Sequence, residues 1–130
     1  QGKQFYEKYL EQDLHTQHGI VKKEEMKKAK SGDSIKSNTD KEFFIFEPSF
    51  IDLYRKIKRD AQIIPLKDIG YIVAETGINR KSKILDAGSG SGALACFLAG
   101  IAKEISTYEI REDFIEIVKS NIKFLGLKNI

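Results

Sequence analysis

The residues best suited to chemistry form one short run, residues 86–93, with the sequence DAGSGSGA. Three glycines at alternate positions let the backbone turn tightly and let a ligand approach main-chain N–H groups without an intervening Cβ. A helix predicted to begin at Ala93 would point its unpaired N–H groups toward the same place. Glycines so placed cost backbone entropy and add no packing, which disfavours a turn that binds nothing. The run therefore predicts a site for a nucleotide-type cofactor.

Two classes of cofactor fit this run. Gly88, Gly90 and Ala93 match the dinucleotide fingerprint in its Gly/Ala variant. Glu109 follows about 20 residues later, where a carboxylate can accept hydrogen bonds from the hydroxyls of an adenosine ribose in either class. Asp86 separates the two, because its charge would repel a pyrophosphate and attract the ammonium and sulfonium groups of S-adenosylmethionine. We predict S-adenosylmethionine, with a dinucleotide as the alternative.

The elements that position these residues follow from the hydrophobic spacing. Apolar residues recur at helical intervals in the predicted helices, and short apolar runs mark the predicted strands. In the second part of the chain the pattern predicts helices over residues 68–76, 93–101 and 112–125 and strands over residues 84–87 and 105–109. Two strands joined by a crossover helix should be parallel. The fold class is therefore α/β, with the first βαβ units of a Rossmann-like sheet.

The first part of the chain has a different pattern. Short pairing strands are predicted over residues 14–21, a basic helix over 24–30, a strand over 42–46 and a helix over 50–58. We place a domain boundary near residue 58. Residues 1–58 would form a small β-rich module, and residues 59–130 would form the N-terminal half of a cofactor-binding domain.

Composition narrows the class of protein. The 130 residues are 41% hydrophobic and 32% charged, which is typical of a globular domain, and no apolar run is long enough to span a membrane. The single cysteine favours a reducing, cytoplasmic location. A net charge of +3 is too small to indicate nucleic-acid binding by itself. His15 and His18 lack a cysteine or acidic cluster nearby, so we predict no metal site.

Three segments together carry a family resemblance: residues 59–68 (RDAQIIPLKD), residues 85–94 (LDAGSGSGAL) and residues 108–114 (YEIREDF). Their sequences and spacing resemble the tRNA (adenine-N1)-methyltransferases, and residues 14–21 resemble the N-terminal module of the archaeal branch. The resemblance implies a class I methyltransferase fold, S-adenosylmethionine as cofactor and a homotetramer. It also implies tRNA as substrate, methylated in the T-loop at adenine 58 and in archaeal members also at adenine 57, on a base extracted from the RNA.

The resemblance and the electrostatic argument together give a set of cofactor-binding candidates. They are Gln62, Ile64, Asp86, Gly88, Ser89, Gly90, Ser91, Gly92, Ala93, Glu109 and Phe114. Where the family usually has an aromatic residue or His before Pro, this chain has Pro65-Leu66, which leaves the target adenine open. The catalytic aspartate of the family is expected beyond Ile130, so we expect this segment alone to be inactive.

Other interpretations stay open at this point. A methyltransferase acting on proteins or small molecules, such as the isoaspartyl type, shares the glycine loop, and a non-catalytic RNA-binding subunit would share the fold. The five lysines between residues 22 and 30 could contact RNA phosphates or form a solvated helix face. Phe43, Phe44 and Phe46 could stack on bases, although we expect them in the core of the first module.

Overall fold

The computed structural model describes residues 3–7 and 10–130, and the chain divides into two compact units, Gln1–Glu47 and Pro48–Ile130. The division lies earlier than the boundary that we predicted near residue 58. The reason is the short helix after Pro48, which packs on helices of the second unit. Each unit is described by itself below.

The first unit contains two antiparallel hairpins and one helix. Strand β1 (Leu14–Thr16) pairs with β2 (Gly19–Val21), helix α1 follows (Lys23–Lys28), and β3 (Ser34–Lys36) pairs with β4 (Glu42–Phe44). The predicted strand pairing over residues 14–21 is confirmed. The predicted helix over residues 24–30 and strand over residues 42–46 are both present, and each ends two residues before its predicted end.

The turn after β3 holds the first hairpin. Asn38 Oδ1 accepts a hydrogen bond from Ile20 N–H at 2.7 Å, and Ile20 C=O accepts one from Asn38 N–H at 2.9 Å. The Ser37 hydroxyl donates to His18 C=O at 2.7 Å. Gly19 has φ +95°, and a Cβ there would collide with the Asn38 side chain. The glycine at this turn is therefore required both by its backbone conformation and by its neighbour.

The phenylalanines of β4 do not all belong to the core. Phe43 packs near Phe5, with ring centroids 6.2 Å apart. Phe44 and Phe46 are 63% and 70% exposed. Successive side chains of a strand point to opposite faces, so Phe43 and Phe44 cannot both be buried in a two-stranded hairpin. Our expectation of core positions was wrong for Phe44 and Phe46.

The second unit has the predicted α/β order. Its elements are α2 (Phe50–Tyr54), α3 (Leu66–Thr76), β5 (Lys83–Ala87), α4 (Ala93–Leu98), β6 (Glu104–Tyr108) and α5 (Glu112–Leu125). Strands β5 and β6 are parallel, in register from Lys83 opposite Glu104 to Ala87 opposite Tyr108. The predicted parallel pair with its crossover helix is confirmed. Helix α5 has the predicted bounds and ends at Gly126, which has φ +67°.

Three helices differ from their predicted bounds at the ends. Helix α2 begins with a capping box between Ser49 and Asp52 and ends at Tyr54 instead of residue 58. Helix α4 ends at Leu98 instead of residue 101. After both helices the N–H groups bond three residues back, so the last turn tightens and the helix stops. Helix α3 begins two residues before Asp68, directly after Pro65.

The core of the second unit lies on one face of the β5–β6 pair. Tyr54, Ile69 and Ile105 are buried there with small residues of α4. The opposite face is open among the described residues: Leu85 is 73% exposed and Tyr108 is 62% exposed. The carboxyl ends of β5 and β6 meet at one edge, which places the glycine loop after β5 beside the residues that follow β6.

Candidate functional site

The glycine loop is fixed by bonds to the end of β6. Gly88 N–H and Ser89 N–H both donate to Tyr108 C=O, at 2.9 and 3.0 Å. Gly90 N–H donates to Glu109 Oε2 at 2.9 Å. Gly92 N–H donates back to Ser89 C=O at 2.7 Å. Four N–H groups of the loop therefore have acceptors within the protein, whereas the sequence suggested that the loop's N–H groups would face a ligand.

The three loop glycines have positive φ angles for different reasons. Gly88, Gly90 and Gly92 have φ of +87°, +53° and +72°. A Cβ on Gly88 would meet nothing within 4 Å, whereas one on Gly92 would lie 3.0 Å from Val118 Cγ1 of α5. A Cβ on Gly90 would lie 3.5 Å from Ala61 Cβ. Gly92 thus permits the close packing of the loop on α5, and Gly90 permits the approach of the segment around Ala61.

Asp86 is linked to the loop through a residue that the sequence analysis did not select. The Thr107 hydroxyl donates to Asp86 Oδ2 at 2.7 Å, and Ser89 Oγ lies 2.5 Å from Thr107 Oγ1. Thr107 lies opposite Asp86 in the strand register, so both side chains are on the same face of the sheet. Its position in β6 two residues before Glu109 was the only signal in the sequence.

Glu109 lies one residue beyond β6 and is held by main-chain groups. Its carboxylate accepts hydrogen bonds from Ile110 N–H at 2.9 Å and Arg111 N–H at 3.1 Å, in addition to Gly90 N–H. The bond from Arg111 N–H, followed by the one from Gly90 N–H, lowers the pKa of this carboxyl group below its usual range. Glu109 therefore stays ionised and acts only as a hydrogen-bond acceptor.

Three predicted candidates have side chains that face the protein interior. Ser91 is 2% exposed, and its hydroxyl has no hydrogen-bond partner among the described residues. Ala93 is buried in the core cluster. Phe114 is 8% exposed, with the Arg111 guanidinium carbon 4.0 Å from its ring centroid. Ser91 and Ala93 could serve a ligand only through the main chain, and Phe114 has little free ring surface.

Gln62 and Ile64 lie in the irregular segment before α3. Both are exposed, Ile64 at 37%. Ala61 in the same segment is the residue nearest to Gly90. The structure thus places this segment beside the loop, with Gln62 and Ile64 free to contact a ligand there.

A buried asparagine joins the loop, this segment and α5. Asn121 is 1% exposed, and its Nδ2 donates to Ser91 C=O at 2.8 Å and to Lys58 C=O at 3.0 Å. Its Oδ1 accepts from Lys58 N–H at 2.9 Å. The signal that could have revealed it is an amide in the apolar stripe of α5, at helical spacing from Phe114 and Val118.

The site is built from groups that accept hydrogen bonds. Its ionised carboxylates are Asp86 and Glu109, placed at the carboxyl ends of neighbouring parallel strands. Ligands of open α/β sheets bind in the crevice at these ends. Across residues 3–7 and 10–130, no group of three or more His, Cys, Asp or Glu side chains could hold a metal ion. No helix of this part of the chain is long and apolar enough to cross a membrane.

Known proteins resemble this chain in sequence. A tRNA (adenine(57)-N(1)/adenine(58)-N(1))-methyltransferase TrmI of Methanocaldococcus jannaschii is 33% identical over 128 residues, which are 96% of this chain and 44% of that protein. A tRNA (adenine(58)-N(1))-methyltransferase TrmI of Thermus thermophilus is 26% identical over 90% of this chain and 48% of that protein.

Solved structures show the same likeness. A SAM-dependent O-methyltransferase of Thermotoga maritima superimposes with a TM-score of 0.79 at 33% identity, over 89% of this chain and 44% of that chain. The tRNA (m1A58) methyltransferase TrmI of Aquifex aeolicus gives a TM-score of 0.72 at 30% identity, over 91% of this chain and 47% of that chain. The predicted Rossmann-like methyltransferase fold is confirmed.

The chain spans about half the length of the curated relatives it matches. A family model described as ribosomal RNA adenine dimethylase matches residues 66–130, half of the chain, and this segment includes α3, the glycine loop and Glu109. The chain therefore belongs to the ribosomal RNA adenine dimethylase family, and the resemblance to the tRNA (adenine-N1)-methyltransferases that its motifs predicted is confirmed.

Proposed function

We propose that this chain provides the S-adenosylmethionine site of an enzyme that methylates N1 of adenine in the T-loop of tRNA, at position 58 and, as in the archaeal relative, also at position 57. The observation that carries the proposal is the Asp86 carboxylate, held by Thr107 beside a loop whose N–H groups are largely bonded within the protein. Such a site offers negative charge and few donors.

This arrangement favours a cationic ligand over a phosphate. A phosphate at a glycine loop is stabilised by free N–H groups, and here Gly88, Ser89, Gly90 and Gly92 already donate to protein acceptors. A nearby carboxylate would add repulsion. The ammonium and sulfonium groups of S-adenosylmethionine would instead be attracted. The acceptor-only Glu109 suits the two hydroxyl donors of its ribose.

The chemistry assigns limited tasks to the protein. When bound, S-adenosylmethionine supplies an electrophilic methyl group. Asp86 and the loop would fix the methionine part, Glu109 would fix the ribose, and the segment containing Gln62 and Ile64 would cover the adenosine. Adenine N1 carries a lone pair that needs alignment with the methyl carbon and exclusion of water. The target base must also leave the folded RNA.

Partners and location follow from the resemblance. We expect tRNA as the substrate, assembly into a homotetramer and a cytoplasmic location. Gln62, Ile64, Asp86, Glu109 and the loop residues 88–93 remain our proposed cofactor contacts. Phe114 is a weaker candidate than these, because Arg111 covers its ring.

One comparison favours a second candidate. The structural neighbour from Thermotoga maritima is named as an O-methyltransferase. Methyl transfer to oxygen of a protein or small molecule would use the same cofactor site, so the site does not separate the two substrates. A non-catalytic subunit is less favoured, because both carboxylates of the site are present and held in place.

The cofactor is tested by titration calorimetry on the chain, expressed with whatever sequence flanks it in its gene. We expect binding of S-adenosylmethionine and S-adenosylhomocysteine and no binding of NAD. Binding of NAD with no binding of S-adenosylhomocysteine would contradict the proposal.

The substrate is tested with the same protein and tritiated methyl donor. We expect label in a tRNA transcript, and its loss when adenines 57 and 58 of that transcript are both replaced. Single replacements assign the position. Label in isoaspartyl peptides with none in tRNA would support the second candidate and refute the first.

A further inference from the structure

Three polar side chains form a continuous hydrogen-bonded relay across the β5–β6 pair. The Thr107 hydroxyl lies 2.7 Å from Asp86 Oδ2 and 2.5 Å from Ser89 Oγ. Both hydrogen bonds are partly buried. Thr107 therefore connects the carboxylate at the end of β5 with the first serine of the glycine loop.

The direction of the relay follows from its chemistry. A hydroxyl carries one proton, and an ionised carboxylate can only accept. Thr107 therefore gives its proton to Asp86, and Ser89 must give its own proton to Thr107. Ser89 Oγ is left with lone pairs only. Asp86 and Ser89 both become acceptors, although serine by itself could donate.

We propose that Thr107 is a specificity-determining positioning residue, which keeps Asp86 and Ser89 as acceptors so that the loop takes an ammonium group and refuses a phosphate. The inference rests on the proposed binding of S-adenosylmethionine and adds how its amino-acid part is selected. Without the Thr107 hydroxyl, Ser89 would be free to donate and Asp86 would lose its fixed orientation. Adenosine would not be affected, because its ribose is assigned to Glu109.

The test compares two ligands on the wild-type chain, Thr107→Val and Thr107→Ser. S-Adenosylhomocysteine carries the amino-acid part, and 5′-methylthioadenosine lacks it. For Thr107→Val we expect the affinity for S-adenosylhomocysteine to fall about tenfold while that for methylthioadenosine stays within about twofold. Thr107→Ser, which keeps the hydroxyl, should restore the affinity for S-adenosylhomocysteine.

A second variant tests whether Thr107 acts through Ser89. If it does, adding Thr107→Val to Ser89→Ala should cost less affinity for S-adenosylhomocysteine than Thr107→Val costs in the wild type. Full additivity would overturn the relay. An equal loss of both ligands in Thr107→Val would overturn it as well, because that result indicates damage to the fold. Failure of the wild type itself to bind S-adenosylhomocysteine would refute the proposed function.

Discussion

Asp86 and Glu109 are both carboxylates at the ends of neighbouring strands, but their surroundings assign them different tasks. Asp86 is held by a side-chain hydroxyl. Glu109 is held by three main-chain N–H groups, whose positions do not depend on side-chain rotamers. We infer that Asp86 supplies charge and that Glu109 supplies oriented acceptors.

The charge of Asp86 is tested by Asp86→Asn, which keeps the shape of the side chain. We expect about a tenfold loss of affinity for S-adenosylmethionine, because the attraction to its positive charges is removed. The midpoint of thermal unfolding should change little. Glu75→Gln, which removes one exposed negative charge from α3, is the control and should bind as the wild type does. Unchanged binding by Asp86→Asn would contradict the assignment.

The lowered pKa of Glu109 predicts how binding depends on pH. Its carboxyl group is ionised in the folded chain above its ordinary pKa of about 4.3, and that ionised form is lost only as the pH falls through the lower pKa of the folded state. Affinity for adenosine, measured by calorimetry, should therefore be constant between about pH 8 and pH 5. Glu109→Gln should bind adenosine more weakly throughout. A decline of wild-type affinity within that range would exclude Glu109 as the ribose acceptor.

At the scale of elements, the site depends on how the loop, α5 and the segment before α3 are joined. Val118 of α5 packs against Gly92, and Asn121 of α5 bonds to Ser91 and Lys58. Helix α5 thus supports the site from behind, through one apolar and one polar side chain.

The contact between the loop and α5 is tested by comparing two glycines. Gly88→Ala should destabilise the chain by about 1–2 kcal/mol, since only its left-handed backbone is strained. Gly92→Ala should cost more, because its Cβ also meets Val118 at 3.0 Å. In urea unfolding, the additional Val118→Ala should recover the excess for Gly92→Ala and recover nothing for Gly88→Ala. Equal costs for the two glycines would contradict the packing role.

The Asn121 bridge predicts a large loss of stability. Asn121→Ala leaves main-chain groups of Ser91 and Lys58 without partners in the interior, so we expect the free energy of unfolding to fall by about 2–4 kcal/mol. Urea denaturation measures this difference. Lys119→Ala on the exposed side of the same helix should change it by less than about 0.5 kcal/mol. Similar values for the two variants would show that the bridge contributes nothing.

At the scale of the whole molecule, the hydrophobic core belongs to one unit. Every residue of the main buried cluster lies in Pro48–Ile130, from Tyr54 to Ile105. Cys96 lies in the same unit, is fully buried, and burial raises the pKa of its thiol to about 11. The thiol is therefore a reporter of the integrity of this core.

The position of the unit boundary can be tested with that thiol. Residues 48–130 should react with a thiol reagent as slowly as the whole chain at neutral pH, because the core is complete. Residues 59–130 should react faster, because that cut removes Tyr54, whose ring lies 5.4 Å from Phe97 on α4. Equal protection of both fragments would favour the boundary predicted near residue 58.

The sequence by itself determined the features that depend on neighbours along the chain. The apolar period of α5, its end at Gly126, the βαβ order and the turn-forming glycines could be predicted because each is a local property. The motif spacing indicated the family for the same reason. The exposed positions of Phe44 and Phe46 and the early ends of α2 and α4 were missed, because strand faces and last helical turns depend on what packs beside them.

Only the tertiary structure decided how the site residues are joined. Thr107 matters because the strand register places it opposite Asp86, and Asn121 matters because α5 brings it to Lys58, which is distant in sequence. The bonding of the loop N–H groups to Tyr108 and Glu109 likewise requires β6 to lie beside β5. Such contacts join residues far apart in the chain, and no local pattern records them. The sequence named the carboxylates, and the fold determined that they surround a loop with few free donors.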